Sequence, residues 1–496
     1  MKKIVGLIGG GVIGCGWAAR FLLNGWDVQM CDPDPDTPKK VDRSLINARQ
    51  SLPSISDYRL PTEGQISFYR NISDAVAGVS WIQESVPEHL DVKQAVISEI
   101  QSTSNQVIGS STSGFKPSDL QQCADDPSRI VVTHPFNPVY LLPLVELVTN
   151  DATSQEIIQH AMSVIDDVRM YALHLTKEIE AHLADRLLEA VWREALWLVK
   201  DKVATTQQVD DAIQFGFGLR WAQMGIFETY RIAGGEAGIR HFLSQFGPAL
   251  ALPWTKLMDA PKLDKNLVSL LSNQLEAQSG HHSVLELEQI RDRNLVGIMR
   301  QLKANDWGVG RWLNSHDADE KRKRGLIKSL DQISDLSVPI LALDQVVPLT
   351  WTDYNGHMTE SRYLDVFGKA TDRFMEIIGC DKDYIAEGFS YFTTESHIRH
   401  LREVKAGQSI TINTQLLLGE GKKLHLFHRC YQEEDLVATG EHFLLHVSLK
   451  TRRSSPPSED MLLALERITQ AHRFLIYPDG AGAGICKPIM TAHYRD

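Results

Sequence analysis

Ile4-Val5-Gly6-Leu7-Ile8-Gly9-Gly10-Gly11-Val12-Ile13-Gly14 is a short apolar run that stops on a cluster of glycines. Ile4 to Ile8 reads as a buried strand, and Trp17, Ala18, Phe21 and Leu22 behind the glycines recur at helical spacing. Between strand and helix, Gly9, Gly11 and Gly14 stand in G-x-G-x-x-G order. Gly9 permits a tight turn, Gly11 lets a backbone approach a pyrophosphate, and Gly14 lets the helix pack on the sheet. Val12 and Ile13 belong to the helix start, where N–H groups are free and the dipole is positive. Asp32 closes a second strand candidate, Asp27 to Cys31, where a carboxylate can accept ribose hydroxyls. The run Asp32-Pro33-Asp34-Pro35-Asp36 has no arginine beside it and would repel a 2′-phosphate, so the expected cofactor is NAD rather than NADP. A glycine-rich turn that binds nothing is the plain alternative. Strand, glycines, helix and acid in register argue against it.

Outward from this turn, residues 4 to about 178 alternate β-like runs (Trp81 to Glu84, Val107 to Ser110, Ile130 to Thr133) with helical stretches, the pattern of a parallel sheet covered by helices. Arg129 to Asp151 reads as two apolar strands around a proline-punctuated loop, with His134 ending the first and Glu146 inside the second. Side by side, the carboxylate would hold the imidazole's tautomer while His134 takes a hydroxyl proton, freeing the carbinol carbon to release hydride. On spacing alone, a histidine and a glutamate are more often structural than catalytic.

From Ala181 the period becomes helical, through Leu183, Leu187, Leu188, Val191, Ala195 and Leu198 to about Leu313. His316 to about Pro339 is charged and suits a linker with some helix. Behind it, a helix over Thr359 to Ile378, stopped by Gly379, precedes alternating runs at Tyr391 to Ser396, Ser409 to Leu418, Lys423 to Tyr431 and Leu436 to Leu449. The expected organisation is multidomain: an α/β Rossmann domain over 1–178, an all-α helical domain for substrate and dimerisation over 179–320, a linker over 321–339, an α+β domain over 340–475 and an irregular tail over 476–496.

Bulk properties fit this. A chain of 496 residues exceeds one core, its 43% hydrophobic and 23% charged fractions are those of globular proteins, and no stretch is apolar enough to span a bilayer. Met1-Lys2-Lys3 with the following apolar run superficially resembles a signal peptide, but glycines take the place of a cleavage site. Six cysteines without a C-x-x-C pair suggest neither disulfide framework nor metal site and fit the cytoplasm. A net charge of −12 disfavours nucleic acid and anionic membrane as partners, and the basic run Lys321-Arg322-Lys323-Arg324 reads as a solvated face.

Residues Lys3 to about Leu313 resemble the 3-hydroxyacyl-CoA dehydrogenase family, including its lambda-crystallin (gulonate dehydrogenase) members. The matching stretches are Gly9 to Gly14, Gln83-Glu84-Ser85-Val86-Pro87-Glu88 with Lys93, Ser111-Thr112-Ser113, and His134-Pro135-Phe136-Asn137-Pro138 with Glu146. The resemblance implies His134 as general base, Glu146 as its orienting partner, Ser113 as a donor to the substrate oxygen, and Glu88 and Lys93 near the nicotinamide ribose. Ala184-Asp185-Arg186-Leu187-Leu188 departs from the family, with Asp185 where asparagine is usual. An anion there favours a substrate carrying a positive charge near its hydroxyl. Phe136, Tyr140, Trp192, Trp221 and Phe227 offer aromatic faces for such a cation, or are core.

Trp351-Thr352-Asp353-Tyr354-Asn355-Gly356-His357-Met358-Thr359 resembles the signature of hotdog-fold acyl-CoA thioesterases, with Thr359 replacing their usual asparagine. That implies Asp353 as nucleophile or water activator, and N–H groups near Gly356 and His357, at the start of the central helix, polarising the carbonyl. A domain that only dimerises is the alternative. The fused layout as a whole resembles the carnitine dehydrogenase family, which implies L-carnitine and betainyl-CoA as substrates and a homodimer; L-gulonate or a short 3-hydroxyacyl-CoA is the alternative substrate.

Overall fold

A computed structural model describes residues 3–233, 238–246, 255, 264–323 and 329–483. They fall into two compact units, Met1–Leu52 with Leu60–Asn314, and Pro53–Arg59 with Ser315–Asp496.

In the first unit the strands are β1 (Ile4–Ile8), β2 (Asp27–Cys31), β3 (Ile66–Tyr69), β4 (Trp81–Glu84), β5 (Ile108–Ser110), β6 (Ile130–Pro135), β7 (Leu144–Val148) and β8 (Tyr171–Leu175). They form one sheet in the order β3-β2-β1-β4-β5-β6-β7-β8, parallel throughout except between β6 and β7. The first six strands have the doubly wound nucleotide-binding order, whose reversal at β1 opens a crevice beyond the carboxyl ends of β1 and β4. Buried on both faces, these strands are apolar rather than alternating: Ile8, Ile82, Ile108, Ile130 and Val132 pack with Ile97 and Ile100 of the helix Leu90–Thr103.

β1, β2 and β4 have the bounds read from the sequence, while β5 starts one residue later and β6 runs two residues further. β3 is an addition: a four-residue, partly exposed edge strand, too short to announce itself. β8 is another, and lies beside β7 in parallel. Beyond it the described part of this unit is helical, from Ala184–Lys200 to Val284–Ala304. The charged segment expected as linker is helical at its start, inside Val309–Lys323; residues 324–328, including Arg324, lie outside the described residues.

The second unit holds β9 (Ile340–Val346), β10 (Phe389–His400), β11 (Ser409–Glu420), β12 (Lys423–Gln432), β13 (Asp435–Ser448) and β14 (Arg453–Ser454). They pair antiparallel in the order β10-β13-β12-β11-β9, with β14 on β13. The helix Glu360–Ile377 starts after Thr359, and Gly379, at φ +97°, turns the chain out of it. Phe367, Ala370 and Phe374 on this helix are fully buried in clusters with Ile412, Leu424, Leu426 and Cys430 of the sheet. A sheet wrapped around one buried helix is the hotdog arrangement. β9 and the helix Glu459–His472 are further additions. That helix is capped by Ser458 and buries Met461, Leu465 and Ile468 at helical spacing. Gly484 and Cys486 of the expected irregular tail lie outside the described residues.

Candidate active sites

The antiparallel pairing of β6 and β7 sets His134 directly opposite Glu146, so both side chains stand on one face of the sheet. His134 Nδ1 lies 2.9 Å from Glu146 Oε2, with the imidazole 4% and the glutamate 0% exposed. Glu146 Oε1 accepts from the backbone N–H groups of Leu183 and Ala184, at 3.0 and 2.9 Å, where the helix Ala184–Lys200 begins. Burial alone would raise this carboxyl. The hydrogen bonds from His134, Ala184 and Leu183 outweigh burial and hold it below the usual carboxylate range. An ionised Glu146 fixes Nδ1 as the protonated nitrogen and leaves the Nε2 lone pair as a base. Asp185 Oδ2 sits 3.7 Å from that Nε2, its carboxyl raised by burial against the pull of His134.

Glu88 gathers the loop behind β5: it accepts from Thr112 Oγ1 and from the N–H groups of Ser113 and Gly114, at 3.1 and 3.0 Å. Burial raises its carboxyl, but these donors and Lys93 bring it below its ordinary value. Lys93 is buried, and its ammonium contacts Glu84 Oε1 (3.0 Å), Val86 O (3.1 Å) and Glu88 Oε2 (3.3 Å). It is thus committed to holding Glu84 and Glu88 rather than facing open space. Ser113 is exposed. His182, which the sequence reading did not single out, is fully buried with Nε2 3.0 Å from Thr112 O and its ring centroid 5.5 Å from that of His134.

The glycine turn fits a dinucleotide. Gly9 takes φ +104°, and a Cβ there would lie 2.5 Å from Ser85 O; a Cβ on Gly14 would lie 1.9 Å from Gly9 O. Above Gly11 a Cβ would meet no protein atom within 4 Å, so that side of the backbone is open. Asp32 accepts from Gly10 N at 2.6 Å and from Asp34 N and Thr37 Oγ1, bracing the turn from β2. Gly11 and Val12 line a cavity of about 320 Å³ together with Lys40, Arg43, Tyr140 and Arg291. Folding therefore brings an arginine that the acidic run lacks in sequence, but Arg43 is paired with Glu288 at 3.0 Å and Lys40 with Asp34 at 2.5 Å.

The aromatic candidates separate. Phe136 lies on His134, ring centroids 4.8 Å apart. Tyr140 is buried beside the glycine cavity and donates to Asp292 Oδ2 at 2.6 Å. Trp221 packs on Phe217 at 4.6 Å. Trp192 and Phe227 are exposed.

In the second unit Asp353 is exposed, in a loop that reverses at Gly356 (φ +78°). Its Oδ1 accepts from Asn355 N (2.9 Å) and His357 N (3.2 Å), and its carbonyl accepts from Gly356 N (3.0 Å). The two N–H groups expected to polarise a thioester therefore close the aspartate's own turn. They also lie ahead of the central helix, whose first residue is Glu360.

Family models match three stretches: the 3-hydroxyacyl-CoA dehydrogenase NAD binding domain over residues 4–179, the C-terminal domain of that family over 182–269, and the thioesterase-like superfamily over 347–465. An L-carnitine dehydrogenase/betainyl-CoA thioesterase of Ruegeria pomeroyi is 60% identical over 97% of this chain and 99% of its own length, and one of Agrobacterium fabrum is 49% identical over 97% and 98%. An L-carnitine dehydrogenase of Oceanobacillus iheyensis is 48% identical over 60% of this chain and 97% of its own length. Among solved structures, that of FHMPC 5-dehydrogenase, an NAD+-dependent dismutase, superposes with a TM-score of 0.52 at 25% identity, covering 61% of this chain and 99% of that one. With an NAD-binding dehydrogenase half, a thioesterase-like half and full-length relatives built from both, the chain belongs to the L-carnitine dehydrogenase/betainyl-CoA thioesterase family.

Proposed function

We propose that the chain oxidises L-carnitine to 3-dehydrocarnitine with NAD and hydrolyses betainyl-CoA to glycine betaine and coenzyme A. The observation that carries the first reaction is the buried His134–Glu146 pair, with its free Nε2 and a third carboxyl, Asp185, 3.7 Å from that nitrogen.

NAD, when bound, supplies the hydride acceptor. Gly9, Gly11, Val12, Ile13 and Gly14 would cradle its pyrophosphate, Asp32 its adenosine ribose and Glu88 its nicotinamide ribose, with Lys93 holding Glu88 in place. His134 Nε2 takes the proton of the substrate hydroxyl as the C–H bond gives up its electron pair. The imidazolium is stabilised by Glu146, and Ser113 donates to the substrate oxygen. A base flanked by carboxylates suits a substrate that carries a positive group close to its hydroxyl. Asp185, where the wider family keeps a neutral asparagine, would balance the trimethylammonium group, with Phe136 lending an aromatic face. Tyr140 and Trp221 belong to this subsite as expectations from the sequence; Tyr140 has its hydroxyl engaged on Asp292 and Trp221 has its ring contact on Phe217.

In the second unit Asp353 would direct water, or attack directly, at the thioester carbonyl; the C–S bond breaks and the thiolate leaves to be protonated. Exposure of Asp353 in an ordered turn supports this role. Small-molecule substrates are thus the partners, and no nucleic acid is expected at this net charge. A homodimer is supported twice. β10, a twelve-residue strand, pairs with β13 on one side and, among the described residues, with no strand on the other, and Leu187, Leu188 and Trp192 on the helix Ala184–Lys200 are each more than half exposed. Among the described residues no helix is long and apolar enough to cross a membrane. The described cysteines are all free, which supports a cytoplasmic setting. Steady-state NADH formation from L-carnitine, and thiol release from betainyl-CoA, test the two reactions directly.

A further inference from the structure

Three hydrogen bonds meet on one hydroxyl at the carboxyl ends of β4 and β5. Ser111 Oγ accepts from the indole N–H of Trp17 at 3.1 Å and from the side-chain amide of Gln83 at 2.8 Å, and lies 2.8 Å from Ser85 Oγ. An indole nitrogen can only donate. The Gln83 amide cannot turn over either, because its oxygen already accepts from Trp81 Nε1 at 3.2 Å and from Thr133 Oγ1 at 3.0 Å. Two incoming donors occupy both lone pairs of Ser111 Oγ, so the hydrogen of that hydroxyl goes to the oxygen of Ser85. Ser85 therefore accepts from the interior and keeps its own hydrogen for an outside partner; among the described residues no acceptor takes it.

Ser85 is partly exposed and follows directly on β4, at the crevice that the reversal of strand order opens. It stands against the glycine turn. A Cβ on Gly9 would collide with the Ser85 carbonyl, and a Cβ on Gly14 would lie 3.6 Å from Ser85 Cβ. The acceptors that a dinucleotide brings to this turn are the anionic oxygens of its pyrophosphate. We propose, resting on the glycine turn as the cofactor's cradle, that Ser85 donates its hydroxyl hydrogen to the pyrophosphate of NAD. Trp17 and Gln83, acting through Ser111, are positioning residues that fix the direction of this donation. A lone serine could offer a lone pair or a hydrogen with equal ease; a relay polarised from the interior offers an anion the hydrogen.

Calorimetric titration of the full chain with NAD, and with ADP, which keeps the pyrophosphate but lacks the nicotinamide half, tests the first part. Ser85→Ala should raise the Kd of both ligands by about tenfold, the size of a hydrogen bond to a charged acceptor, with a melting temperature close to that of wild type. An unchanged Kd for NAD, or a Kd raised for NAD and not for ADP, overturns the assignment. Gln83→Glu tests the relay. It puts an acceptor where the amide N–H stood, so Ser111 donates to it and accepts from Ser85, and the outward hydrogen of Ser85 turns inward. The new carboxylate also repels the cofactor directly, so the decisive quantity is a difference between backgrounds. Gln83→Glu should weaken NAD binding about tenfold more in the wild-type chain than in Ser85→Ala, and equal weakening in both overturns the relay. Gly11→Ala keeps the two failures apart: an unchanged Kd for NAD in that variant means the cradle itself is wrong, whereas weakened binding there and none in Ser85→Ala rejects the serine alone.

Discussion

His134 has a carboxylate within reach of each ring nitrogen: Glu146 at 2.9 Å from Nδ1 and Asp185 at 3.7 Å from Nε2. The first fixes the tautomer and is itself held by two backbone N–H groups; the second stands where a proton arrives. Replacing His134 by Asn should lower kcat for carnitine oxidation by about a thousandfold while leaving the Kd for NAD unchanged, since proton transfer contributes that order of rate and the imidazole does not line the cavity at the glycine turn. Glu146→Gln should lower kcat by about a hundredfold, because the amide can turn its NH2 toward Nδ1 and select the wrong tautomer. Gly11 gives a third residue-scale outcome. Gly11→Ala meets no protein atom within 4 Å, so its melting temperature should match wild type while NAD binding weakens by about tenfold or more, read by titration. Gly11 was legible from motif spacing, and His134 and Glu146 from the two strands that carry them together with the family resemblance. His182 was not: its partner Thr112 is 70 positions away, and a left-handed non-glycine residue leaves no mark in a sequence.

At the scale of elements, β6 and β7 deliver the pair because an antiparallel register puts residues 134 and 146 opposite one another, and a one-residue slip would send one of them to the other face. β1, β2 and β4 could be read to the residue, and β5 and β6 to within one or two residues. β3, four residues at a sheet edge, was not read, nor was β9, although Ile340-Leu341-Ala342-Leu343 at its start is apolar; the helix Glu459–His472 was missed too, although its Ser458 cap and the spacing of Met461, Leu465 and Ile468 mark it. The hotdog sheet also carries a pH liability. His428 is fully buried between Thr371 and Thr414, and His442, close by and hydrogen-bonded to Ser396, is pushed down to about 4 by burial. Both are neutral when folded and regain ordinary basicity when unfolded, so the unfolded chain binds more protons once the pH drops below about 6.5. Stability contributed by their neutral state is complete above that pH and is lost as the pH falls toward 4, by up to about 1.4 kcal/mol per unit for each histidine. Thermal unfolding of the second unit should therefore shift downward between those pH values, and His442→Phe should flatten the slope; a melting temperature independent of pH over that window would contradict this.

At the scale of the whole molecule, two folds with separate machinery share one chain. Relatives covering the dehydrogenase part alone, such as that of Oceanobacillus iheyensis, carry the dehydrogenase name without the second half. The two reactions should therefore be separable: Asp353→Asn should abolish thiol release from betainyl-CoA and leave carnitine oxidation within about twofold, and His134→Asn should do the reverse, because the residues belong to different compact units with independent cores. That the chain would hold more than one domain was readable from its length and the changes of hydrophobic period. The local geometry of the thioesterase loop was not, since Asp353 closes its own turn with the N–H groups of Asn355 and His357.

The central claim is an imidazole-assisted hydride transfer from a 3-hydroxy acid that carries a quaternary ammonium group. NADH formation by the full-length chain, with NAD and a panel of L-carnitine, L-gulonate and 3-hydroxybutyryl-CoA, tests it most directly. The account predicts rapid turnover of L-carnitine, poor turnover of the other two, and loss of all of it in His134→Asn. Preferential oxidation of L-gulonate or the acyl-CoA, or undiminished carnitine oxidation in His134→Asn, would contradict it.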